Sequence, residues 1–98
     1  MPEITELESL VADSVRTLAE DFSIEGLGDP GPDTALYGAD GPLDSMALVN
    51  LIADIEDAVA RQYEASITLA DEAAMSAKRS PFRNVRALAE AIAERMPS

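Results

Sequence analysis

The chain has no cysteine and no histidine. Without cysteine there is no disulfide, no protein thiolate nucleophile and no Cys-based metal site. Without histidine the commonest general acid–base group is missing as well. Any thiol chemistry must therefore come from a group added to the chain. Tryptophan is also absent, and only two tyrosines and two phenylalanines occur. The core must then come from Leu, Ile, Val, Ala and Met, which suits small helices. No apolar run approaches the roughly 20 residues needed to span a bilayer. The opening stretch MPEITELESL is acidic where a secretory or organellar signal would be basic. A soluble, cytoplasmic protein is the expectation. Bases are scarce too: 7 Lys and Arg stand against 19 Asp and Glu, for a net charge of −12.

What is present fits one small globular domain. The 47% apolar content is too high for a disordered chain, and 98 residues suffice for one modest core. A polyanion of this size repels nucleic acid and anionic membrane and steers toward basic protein surfaces. The plainer alternative is a charged surface that keeps a small protein soluble. The charge is uneven. Residues 1–77 hold 17 acids and only Arg16 and Arg61 as bases, a balance of −15, whereas residues 78–98 hold five bases and two acids, a balance of +3.

Apolar spacing predicts the helices. Ile4, Leu7, Val11, Val15, Leu18 and Phe22 form one stripe at helical period, so a first helix is expected over about 3–22. Pro2 suits its first turn, and Glu3, Glu6 and Glu8 lie near the positive end of its dipole. All five glycines then fall between Gly26 and Gly41, joined by Pro30, Pro32 and Pro42. A loop of this length, about 23–44, implies an ordered loop pinned by its own side chains, with Ile24, Leu27, Leu36, Tyr37 and Leu43 as the pins. A second helix is expected over about 45–62. The stretch ASITL breaks the helical pattern, LADEAAM reads as a short helix near 70–76, and SAKRSPFR reads as a basic linker over 77–83. A last helix over about 84–96 has Asn84 as its cap and Val85, Leu88, Ile92 and Met96 as its stripe. The expected fold is all-α: a small up-and-down bundle of three main helices plus one short one, in a single domain.

The second helix carries two apolar faces. On a wheel of about 100° per residue, Leu48, Leu51, Ile52, Ile55 and Val59 gather on one side. Met46, Val49 and Ala53 lie on the other, with Asn50, Glu56 and Asp57 beside them. A surface helix needs only one apolar face, and an apolar spot rimmed by charge is what a docking surface looks like. Isolated exposed apolar residues are also ordinary, so both readings stand.

The stretch GPLDSMALVN opens this helix. Asp44 and Ser45 are both favoured N-caps, and neither has a partner for a capping box, since Ala47 and Leu48 stand three residues on. As a cap, Ser45 is worth about 1 kcal/mol. A serine hydroxyl at a helix N-terminus is also placed where a phosphoester is electrostatically tolerated.

The stretch DTALYGADGPLDSMALVNLIADIED resembles the centre of the acyl carrier proteins. Leu36-Tyr37, Leu43-Asp44-Ser45-Met46, Val49, Leu51, Ile55 and Glu56-Asp57 sit at the places of that family's pattern, and the helix order follows it more weakly over the whole chain. The resemblance implies an acyl-carrier-like bundle with no catalysis of its own. It implies 4′-phosphopantetheine from coenzyme A, attached through a phosphodiester to Ser45, flanked by Asp44, by a phosphopantetheinyl transferase. The thiol of that arm holds a fatty acyl, polyketide or aminoacyl group as a thioester. Met46, Val49, Asn50, Ala53, Glu56 and Asp57 map to a docking face for basic patches on partner enzymes such as a loading ligase, a ketosynthase or an acyltransferase. A monomer is implied, with no nucleic acid partner, no metal and no membrane insertion.

The chain departs from the family pattern in places. Pro42 stands where a glycine is usual three residues before the serine, with Gly41 one further back. The segment from Leu36 to Ser45 is one residue longer than the commonest spacing, and Asn50 replaces a frequent acid. The stretch SAKRSPFRNVR brings Lys78, Arg79, Arg83 and Arg86. Three readings of that basic segment stand open: a loop for a specific partner, a segment folded onto the acidic helices, or a solvated linker. Together these departures favour a discrete carrier of a specialised pathway. An alternative is an unmodified acidic binding or scaffold module of the same fold. An enzyme finds no support in the residues. Asp29, Asp33, Asp40 and Asp44 lack the alternate-residue spacing of an EF-hand.

Overall fold

A computed structural model describes residues 3–24, 27, 30–37, 41–69 and 82–96. Three helices carry the fold: α1 (Ile4–Phe22), α2 (Ser45–Tyr63) and α3 (Val85–Arg95). Among the described residues there is no strand, only two isolated bridges, Ala35 with Asn84 and Tyr37 with Leu43. The expected short helix near 70–76, and Lys78 and Arg79 of the basic linker, lie outside the described residues.

The helix α1 is the shared partner of the other two, packing on both α2 and α3. That explains the width of its buried face. Leu7, Val11, Val15 and Leu18 are buried as the stripe predicts, and Leu10 and Ala19 flank them on either side. Touching two helices requires an apolar arc wider than a single stripe. The two ends of the predicted stripe are corrected: Ile4 and Phe22 are exposed, at 37% and 44%. They share the angular position of the stripe but sit in the terminal turns of a 19-residue helix. The helix closes through Ser23, which is left-handed at φ 54°, and through Ile24 N–H reaching back to the Ala19 carbonyl at 2.9 Å.

The buried face of α2 is the predicted one. Leu48, Leu51, Ile52, Ile55 and Val59 are all buried, and Ala47 joins them. On α3, Val85, Leu88, Ile92 and Met96 are buried together with Ala87, Ala89 and Ala91. Its cap is Asn84, whose Oδ1 accepts from Ala87 N–H at 2.7 Å.

The described parts of the long loop are held by backbone and side chains together. Leu27, Leu36 and Leu43 are buried, and Ile24 and Tyr37 pack against the same core. Phe82 lies in the stretch expected as a basic linker, and it is a core residue at 2% exposure. An aromatic ring of that size carries too much apolar area to leave in water when a core lies beside it. Its carbonyl accepts from Tyr37 N–H at 3.1 Å, the Arg83 carbonyl from Leu36 N–H at 2.9 Å, and the Pro32 carbonyl from Arg86 N–H at 2.9 Å. Residues 82–86 thereby hold the loop over 32–37 against the bundle.

Candidate functional site

The approach to Ser45 is rigidly built. Leu43 N–H donates to the Leu36 carbonyl at 3.0 Å, so the chain leaving Leu36 returns to it seven residues later. Gly41 makes that return possible. A Cβ there would lie 2.4 Å from the Leu36 carbonyl oxygen and 2.7 Å from Tyr37 N, distances no side chain tolerates. Gly41, not a glycine three residues before the serine, thus performs the close approach. Leu43 then buries its side chain and fixes the entry of α2.

The cap of α2 is Asp44. Its Oδ1 accepts from Ala47 N–H at 2.8 Å, and its carbonyl accepts the first helical bond, from Leu48 N–H at 3.0 Å. Ser45 is the first residue of the helix proper. Of the two capping assignments left open by the sequence, the structure takes Asp44. The remaining N–H groups of a first helical turn have no acceptor within the helix, and the dipole there favours an anion.

The six residues mapped to a docking face divide by what they touch. Met46 and Val49 are exposed at 71% and 65%. Ala53 is exposed beside them. Asn50 is exposed and donates to the Met46 carbonyl of its own helix at 3.0 Å. Asp57 is exposed and pairs with Arg61 at 2.9 Å, a surface contact of little energetic weight. Glu56 differs from the rest. It is half-buried, and its Oε2 accepts from Leu69 N–H at 2.8 Å. That acid holds a neighbouring segment of the protein.

The four bases of the 78–86 region do not form one described cluster. Arg83 is exposed at the junction with the long loop, while Arg86 lies in α3, where its Nε reaches the Glu8 carboxylate at 3.3 Å. Arg86 is therefore folded onto the acidic first helix. Arg95, which sequence reasoning passed over, donates from Nε to the Thr68 carbonyl at 2.9 Å and from a terminal guanidinium nitrogen to the Ala91 carbonyl at 3.1 Å. No signal in the sequence pairs it with Thr68, since the two are 27 residues apart.

Titration is perturbed at Tyr63, near the end of α2. Burial, then the negative charge of Glu6, then the hydrogen bond to Glu6 push its phenol above the ordinary value of 10.0. Tyr63 and Glu6 line an open groove of about 320 Å³ with Ser9, Leu10, Asp13 and Gln62. Ser45 and the exposed Met46 and Val49 are not among its lining residues.

No family model, curated protein or solved structure matches the chain.

Proposed function

We propose that the chain is a discrete acyl carrier protein, with Ser45 as the attachment point of 4′-phosphopantetheine. The observation that carries this reading is the capping bond from Ala47 N–H to Asp44. It assigns the cap to Asp44 and makes Ser45 the first residue of the helix, beyond a loop braced by Gly41 and Leu43. A helix start suits a phosphodiester for the electrostatic reason already given. The bound arm supplies the thiol that this chain lacks, and holds the acyl group as a thioester.

The protein's own residues orient the arm and present it. The pinned loop and the Asp44 cap hold the attachment point, and tethering raises the effective concentration of the cargo for each docking enzyme. Met46, Val49 and Ala53 supply an apolar contact, and Asp57 with the neighbouring acids of α2 attracts basic partner surfaces. In this reading the bundle is up-and-down with a short helix near 70–76. The protein is a cytoplasmic monomer without catalysis of its own, serving a specialised pathway.

The test is intact mass after incubation with coenzyme A and a broad-specificity phosphopantetheinyl transferase, on the parent and on Ser45→Ala. The parent should gain one phosphopantetheine and the variant none. A parent that gains nothing, even with the transferase of its own source, overturns the reading in favour of an unmodified scaffold module. Arm attachment to Ser45→Ala overturns the site.

A further inference from the structure

The helices α2 and α3 each pack on α1, but among the described residues they share no close backbone approach with one another. Residues 65–69 tie them together. The Thr68 carbonyl and the Leu69 N–H belong to one peptide group. Arg95 of α3 donates to its oxygen at 2.9 Å, and Glu56 of α2 accepts from its nitrogen at 2.8 Å. A single peptide plane is clamped at both ends by opposite charges from two helices. Bonds to charged groups are the strong ones, and each polarises the peptide in the sense that strengthens the other.

The rest of this strap is extended chain packed on the core. It begins at Glu64, which ends α2 in the left-handed region at φ 53° and ψ 36°, a costly conformation for a residue other than glycine. Beyond it Ala65, Ile67 and Leu69 are buried while Ser66 and Thr68 are exposed, an alternation of period two. Among the described residues, no backbone-to-backbone hydrogen bond holds 65–69. Among the described residues the clamp is a polar anchorage of the strap, and both clamping side chains are only half-buried. A charged group from outside can therefore compete for them. Glu56 stands one turn beyond the exposed Ala53, on the same side of α2 as Met46 and Val49.

We propose that the Glu56–peptide–Arg95 clamp is a charge-operated latch: a Lys- or Arg-bearing partner surface that takes up the Glu56 carboxylate releases Leu69 N–H and lets the strap lift from the core. The clamp stands on its own geometry. Its operator, a basic protein surface, rests on the docking role proposed for α2.

Amide exchange of the protein without any arm tests this, so its outcome is read separately from arm attachment. The Leu69 amide of the parent should exchange slowly. Glu56→Ala and Arg95→Met should each speed it about tenfold or more, with Val15 in α1 unchanged, as expected for local opening. Glu56→Gln, which keeps an acceptor but no charge, should fall between parent and Glu56→Ala. A saturating oligo-arginine peptide should speed Leu69 exchange in the parent and add nothing in Glu56→Ala. An unchanged Leu69 rate in Glu56→Ala overturns the latch. So does an equal rise at Val15, which marks global unfolding. A parent Leu69 rate indifferent to the peptide overturns the operator.

Discussion

Two connections of this protein are held down by different means. The loop segments 30–37 and 41–43 are fixed by backbone-to-backbone bonds to residues 82–86, by the Leu43–Leu36 return and by the close approach at Gly41. The strap 65–69 is held by its buried Ala65, Ile67 and Leu69 and, in its described polar contacts, by two charged side chains. Backbone bonds of the first kind have no charge to screen or to compete for. Those of the second kind are open to salt, to mutation of one residue and to a charged partner. The loop leads into Ser45 and must hold a position. The strap closes over the core and, in the proposed latch, is the part that responds.

The largest blow should come from the loop's anchor. Phe82→Ala removes a fully buried ring and should cost about 3–5 kcal/mol, read as a lower denaturant midpoint. A cost typical of a surface site would place Phe82 back in a linker. Gly41→Ala should come next, at roughly 1–3 kcal/mol, because its Cβ meets the Leu36 backbone, which must shift. Asp44→Ala should cost about 1 kcal/mol through loss of the cap, whereas Ser45→Ala should stay within about 0.5 kcal/mol of the parent. Equal losses at the two positions would return Ser45 to the role of a cap. For Phe82→Ala and Gly41→Ala the loss should be nearly the same in low and high salt. The loss in Glu56→Ala should shrink as salt rises, because salt already weakens the parent's clamp. An equal salt response in Phe82→Ala and Glu56→Ala would erase the distinction between loop and strap.

The smallest effect is expected at Tyr63. Its phenol keeps its proton to higher pH in the folded chain than in the unfolded one. Its contribution is therefore fully present below the unfolded value near 10.0 and is lost as pH rises through the folded value. Denaturation midpoints of the parent should fall across that alkaline window, and Tyr63→Phe should flatten the fall. An identical pH dependence in both proteins would remove Tyr63 as its source.

Much of this was legible in the sequence because it is governed by local periodicity. Leu48, Leu51, Ile52, Ile55 and Val59 declare their face of α2 at helical spacing, and Asn84 declares a helix start. The outward position of Met46 and Val49 follows from the same wheel, since residues opposite a core face have nowhere else to go. The five loop pins were legible as apolar residues isolated among glycine and proline. Ile4 and Phe22 were misread by the same rule, because periodicity reports the angle of a residue and not whether a partner extends far enough to cover it.

Tertiary structure alone decided the rest. Asp44 and Ser45 are equivalent caps on paper, and the path of the loop arriving from Leu43 selects between them. Phe82 is hidden in a basic, proline-bearing stretch and becomes core only because residues 35–37 run alongside it. The clamp on the Thr68–Leu69 peptide joins residues 13 and 27 positions apart. Sequence patterns record which face of an element avoids water. Which charged side chain reaches which peptide across the fold depends on how the elements pack, and no local period encodes that.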